Sequence, residues 1–181
     1  MRHPHRRQTK ETTSTRHMKT LTRHMKTLTI STSVTQLSPS ELTPEQKDLA
    51  DHAIRATYRS YSPYSHFSVG AAVQLSDSTI VSGSNQENIA YPSGLCAERT
   101  ALFYANSRYP DLPVTRLCIA ARNDTEPRTE TPGPPCGSCR QALLETELRY
   151  KTPIEVILVG ANTAYIIQSI RDLLPLCFDS F

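Results

Sequence analysis

The stretch PPCGSCRQAL, residues 134–143, sets two cysteines three apart behind a double proline. Proline belongs at a helix start, and the apolar residues after Cys139 suit a helix that begins here. Cys136 and Cys139 therefore sit on a first turn. A Cys-x-x-Cys pair at such a place is half of a zinc site, a redox couple or an accident of packing. The chain has five cysteines, an odd number, so its thiols cannot all pair as disulfides. No run approaches the roughly 18 apolar residues of a membrane span, and no apolar signal core stands near the N-terminus. Mean hydropathy is −0.42, which suits a soluble domain. The expectation is a cytoplasmic protein with reduced thiols, where metal binding or catalysis explains the close pair better than a disulfide.

A second stretch, GLCAERTAL at residues 94–102, carries the third cysteine. Cys96 also opens a helix, after Tyr91-Pro92-Ser93-Gly94. Both helix N-termini present positive dipole ends, which favour thiolates. Three protein ligands and one open position are what a catalytic zinc needs. Glu98, two residues after Cys96, can reach the same pocket without ligating the metal. Three thiolates leave Zn²⁺ with a formal −1 charge and weaken it as a Lewis acid. Arg99, beside Glu98, can hydrogen-bond the thiolates and withdraw some of that charge. The open position would take a water for Glu98 to handle. Taken alone, Glu98 is dipole complementation and Arg99 a surface charge. Cys118, in an apolar strand, and Cys177, near the C-terminus, read as small hydrophobes.

Charge divides the chain. Residues 1–28 carry eight Lys/Arg and one acid, Glu11, while the remainder carries 12 basic and 16 acidic residues. TRHMKTL at 15–21 is repeated at 22–28. Residues 1–40 read as a disordered basic Ser/Thr-rich tail, too poor in apolar residues to offset its ordering entropy. Its composition fits a solvated extension first, then mitochondrial targeting, then an arm on nucleic acid. The body, residues 41–181, begins with a helix over SELTPEQKDLADHAIRATYRSY. Two strands follow, HFSVGAAVQL and STIVSGSN. A helix at CAERTALFYANSR leads into a strand, VTRLCIAAR. A Pro-rich loop precedes the helix at CGSCRQALLETEL. PIEVILVG and TAYIIQS read as strands, and IRDLLPLCF as a closing helix. Strands interleaved with helices give an α/β layered domain.

Cys-x-Glu followed by Pro-Cys-x-x-Cys is the three-cysteine form of the zinc deaminase signature. With YSPYSHFSVGAAV, GSNQENIAYPSGLCAERTA, PPCGSCRQAL and LLPLCF, the chain from about residue 42 onward resembles the cytidine deaminase family. The resemblance implies a three-layer sandwich, with a mixed five-stranded sheet between helices, and a homotetramer. It implies hydrolytic deamination of cytidine and deoxycytidine to uridine and deoxyuridine, in pyrimidine salvage. Cys96, Cys136 and Cys139 would bind zinc, and Glu98 would shuttle protons. Phe67 would pack on the pyrimidine and Asn85 and Glu87 would hydrogen-bond the ribose. Tyr91 and Phe178 match aromatic positions near subunit interfaces. Taken alone, Phe67 is a core residue, and Asn85 and Glu87 are loop residues after a strand. Glu87 would repel a 5′-phosphate, and no Gly-rich phosphate loop is present, so a nucleoside is favoured over a nucleotide. A blasticidin-type nucleoside deaminase, a zinc-stabilised nucleic-acid-binding protein using the tail and a structural zinc module without activity are the alternatives.

Overall fold

The computed structural model describes residues 26–180. Helix α1, Pro44–Thr57, starts at a capping box: Thr43 Oγ1 accepts from Gln46 N–H, and Gln46 Oε1 accepts from Thr43 N–H. Pro44 at its first position needs no N–H partner. Leu49, Ala50, Ala53 and Ala56 recur at helical spacing and are buried. Strands β1 (Thr35–Leu37), β2 (Phe67–Leu75), β3 (Ile80–Ser84), β4 (Val114–Asn123), β5 (Glu155–Val159) and β6 (Ala164–Ile167) form one sheet in the order β1-β6-β5-β4-β2-β3. β4 and β5 are parallel, joined through helix α3, Gly137–Tyr150; the other neighbours are antiparallel. Helix α2, Ala97–Arg108, links β3 to β4.

Side-chain alternation along the central strands builds two apolar layers. Ala71 and Val73 of β2, Leu117 and Ile119 of β4, and Val156 and Leu158 of β5 meet α2 and α3 through Ala101, Leu102, Leu143 and Leu144. Ala72, Cys118, Ala120 and Ile157 meet Leu49, Ala50 and Ala53 of α1 on the other face. The three-layer sandwich is as expected, and Cys118 is a buried packing residue.

Three expectations are corrected. The sheet has six strands, not five. The extra one, β1, lies within the segment read as tail and pairs with β6, Gln36 opposite Tyr165. Three residues are too few to show a hydropathy period, and what holds them is the open edge of β6. Ser38 then caps a 3-10 turn, Pro39–Glu41, so the folded body starts ahead of residue 41. The C-terminal helix is a single 3-10 turn, Ile170–Leu173, because Pro175 cannot continue it. Residues 1–25 lie outside the described residues, and with them most of the repeat and the readings placed on the tail. Among the described residues no helix is long and apolar enough to cross a membrane.

Candidate active site

Cys96 and Cys136 are the N-cap residues of α2 and α3, both with extended backbone, and Cys139 is the third residue of α3. Neither helix has a side-chain cap hydrogen bond, so both dipole ends act on the sulfurs. The three Sγ atoms lie within 4.8 Å of one another. Cys96 and Cys136 sulfurs are 3.8 Å apart, and those of Cys136 and Cys139 are 3.3 Å apart. Two sulfurs on one tetrahedral zinc, each about 2.3 Å from it, lie about 3.8 Å apart. The donor set therefore fits zinc in identity and spacing.

Ionisation points the same way. The hydrogen bond from the Cys139 thiol, then contacts from Arg99 and Cys136, hold the Cys96 thiol down at about 5 against its burial. The same bond to Cys96, with burial, pushes the Cys139 thiol up. One thiolate thus forms at the other's expense, and ionising all three calls for a cation between them. Arg99 Nη2 is 3.8 Å from Cys96 Sγ, while its buried Nε has no hydrogen-bond partner among the described residues.

Glu98, in the first turn of α2, is only 5% exposed. Burial chiefly, and the charge on Cys96, raise its pKa, making it a carboxyl able to hold a proton. It opens on a cleft of about 290 Å³ lined also by Phe67, Asn85, Glu87, Cys96 and Cys136. The Phe67 ring, at the start of β2, is 40% exposed there rather than in the core. Glu87 accepts from Tyr64 N–H at 2.9 Å and Ser65 N–H at 3.3 Å. A hydrogen bond from the Ser65 side chain, then that of the Tyr64 backbone, lowers its pKa.

Asn85 is more committed than a loop residue. Its Oδ1 accepts from Val69 N–H at 2.7 Å and Ser60 Oγ at 2.5 Å, and its Nδ2 donates to Phe67 O at 2.9 Å. Both acceptor sites and one of two amide protons are used, leaving one N–H for a ligand. Tyr91 and Phe178 are not in this cleft within one chain. Tyr91, 72% exposed, stands edge-on to Tyr64 with ring centroids 5.9 Å apart, in a neighbouring depression shared with Glu87 and Arg99. Phe178, 64% exposed, lies in a depression with Gln141 and Leu148, and its carbonyl accepts from Gln141 Nε2 at 2.8 Å.

Residues 43–153 match the family model described as "Cytidine and deoxycytidylate deaminase zinc-binding region". A cytidine deaminase of Halalkalibacterium halodurans is 42% identical over 101 residues, 56% of this chain and 71% of that protein. The chain belongs to the cytidine deaminase family. A probable cytidine deaminase of Dictyostelium discoideum is 34% identical over 132 residues, covering 72% of this chain and 82% of that one. The crystal structure of cytidine deaminase from Burkholderia pseudomallei superposes with a TM-score of 0.62 at 34% identity, covering 73% of this chain and 98% of that one. That of Mycobacterium tuberculosis gives 0.55 at 28% identity, over 74% and 97%. The protein is thus an enzyme of this family with its Cys-x-Glu and Pro-Cys-x-x-Cys blocks in one cleft.

Reading the sequence missed several contributors to the cleft. Ile119 and Ala121 of β4 form its wall, and Gly133 and Pro134 one lip. The first two look like ordinary strand residues. Gly133 and Pro134 lead into the Cys-x-x-Cys helix, and their place there was the available signal. Ser65 was quoted in the YSPYSHF block without a role, yet its backbone and side chain orient Glu87.

Proposed function

We propose that the chain deaminates cytidine and deoxycytidine hydrolytically, releasing ammonia and leaving uridine or deoxyuridine. The observation that carries this is one cleft holding a zinc-type thiol trio, a buried carboxyl with a raised pKa, and an exposed aromatic ring. Cys96, Cys136 and Cys139 would hold the zinc. When bound, the metal supplies a polarised water that loses a proton near neutral pH. Arg99 tempers the charge of Cys96 through its contact at 3.8 Å. Glu98 takes one proton from the attacking water and delivers it to N3 of the pyrimidine, then moves the second from the new C4 hydroxyl to the departing amine as the C4 carbonyl forms and ammonia leaves. Its burial, which raises its pKa, helps it carry a proton between these steps. Phe67 packs on the pyrimidine, Glu87 accepts a ribose hydroxyl, and Asn85 offers its remaining N–H. Glu87 also disfavours a 5′-phosphate, so the substrate class is nucleoside.

We also place the chain in a homotetramer in which Tyr91 and Phe178 lie at interfaces, with Phe178 completing a neighbour's cleft. Support comes from the exposure of both rings and their position outside their own chain's cleft. Mixed oligomers of Phe178→Ala and Glu98→Gln should recover a minority of sites with parental KM.

The deciding experiment measures ammonia release from cytidine, deoxycytidine and deoxycytidylate together with zinc content. The parent should turn over both nucleosides with one zinc per chain. Glu98→Gln should keep zinc and lose about 10²–10⁴ in rate or more. Cys96→Ala, Cys136→Ala and Cys139→Ala should lose zinc, while Cys118→Ala and Cys177→Ala retain it. Preference for deoxycytidylate, or a Glu98→Gln rate within a few-fold of the parent, would overturn the reading.

A further inference from the structure

Away from the cleft, a cavity of about 390 Å³ lies where α1 passes the edge strand β3 and α2. Its lining includes His52 and Arg55 of α1, Arg59 of the turn after it, Ser82 of β3 and Thr100 of α2, and contains no acidic side chain. We propose that this cavity is an anion site for a phosphate-bearing small molecule, gripped by the two guanidinium groups with His52 and Ser82. This inference is independent of the reaction proposed above.

Three observations carry it. Arg55, in the last turn of α1, and Arg59, in the turn that follows the helix, both border this cavity, where like charges repel. Among the described residues, neither guanidinium group takes part in an ion pair or a hydrogen bond, although Asp51 lies one turn before Arg55. Other arginines of the body are engaged: Arg116 with Glu155 at 3.0 Å, Arg171 with Asp179 at 2.8 Å, and Arg140 with the Leu173 carbonyl at 2.6 Å. A dianion between Arg55 and Arg59 turns the repulsion into attraction, and each planar fork can grip two phosphate oxygens.

The hydroxyl inventory sharpens the assignment. Thr100 Oγ1 already donates to Cys96 O at 3.0 Å, and Ser84 Oγ to Arg59 O at 3.0 Å. Those two groups build the wall. Ser82, exposed on β3, is the hydroxyl left to donate, and either tautomer of His52 offers an N–H. The cavity is also larger than the catalytic cleft of about 290 Å³. It has room for an organic portion beside a phosphate group.

The test is calorimetric titration of the full chain in chloride buffer at fixed ionic strength. The probes are inorganic phosphate and adenosine 5′-monophosphate, a purine chosen to avoid a pyrimidine cleft. The parent should bind one equivalent per chain, and the Arg55→Ala/Arg59→Ala variant at least tenfold more weakly. The Arg55→Lys/Arg59→Lys variant, which keeps charge and helix, should fall between them because it lacks the forks. Both variants should keep the parental thermal melt, oligomeric mass and phosphate-free cytidine turnover. Tighter binding of the nucleotide by tenfold or more would identify a phosphate ester as the ligand; equal affinity would identify the free phosphate group. Absence of saturable binding to the parent would overturn the assignment. So would undiminished binding by the Ala variant, which keeps the basic N-terminal residues and would place the site there. A changed oligomeric mass in that variant would do the same, by making the face a contact between copies.

Discussion

Replacing Asn85 by alanine should damage the fold of the cleft before it damages substrate binding. The side chain ties β2 to the segment after β3: Val69 N–H and Ser60 Oγ into Oδ1, and Nδ2 onto the Phe67 carbonyl. Each such bond contributes about 0.5–1.5 kcal/mol net, and a half-buried Val69 N–H left unpaired adds to the loss. The total comes to about 2–4 kcal/mol. For a chain of this size that is a fall in Tm of about 4–16 °C. Ser60→Ala removes one of the three bonds and should cost about 1 kcal/mol. The two changes combined should cost less than their sum, because they share that bond. Thermal and urea denaturation of the parent, both single variants and the double variant measure all of this, with KM for cytidine taken in parallel. A Tm for Asn85→Ala within about 1 °C of the parent, alongside a raised KM, would refute the reasoning. Asn85 would then be purely a substrate ligand.

Glu147 is buried on α3 and accepts from Ile154 N–H at 2.7 Å, Ile170 N–H at 2.8 Å and Ser169 Oγ at 2.9 Å. Glu147→Ala should cost about 3–5 kcal/mol in urea unfolding, since two buried backbone donors lose a charged acceptor. Glu87 titrates below the ordinary carboxylate value of 4.5, so the stability it supplies is present above that value and is lost as pH falls through its lower folded pKa. Amide shifts of Tyr64 and Ser65 followed against pH should show a midpoint under 4.5, and a midpoint above it would remove Glu87 as their acceptor.

The chemistry of this chain is local in sequence, which is why it was legible. Cys-x-Glu and Cys-x-x-Cys each fix their residues against a helix start, and helical geometry does the rest. What the sequence hid is what depends on distant backbone. β1 has no period of its own and exists because β6 leaves an edge open. Asn85 follows a strand and reads as a loop residue, yet its amide is mostly spent on holding β2. The basic cavity draws on residues from 52 to 100 that share no motif. Even the thiol trio rests on something unmarked by its chemistry. A Cβ on Gly83 would stand 2.5 Å from Ala101 N and 2.8 Å from Ala97 O, so α2 lies directly on the backbone of β3. Any larger residue must push the first turn of α2 outward, and Cys96 caps that turn. The motifs place each sulfur on its own helix. The bare backbone at Gly83 is what lets α2 sit deep enough for Cys96 to meet the two sulfurs of α3.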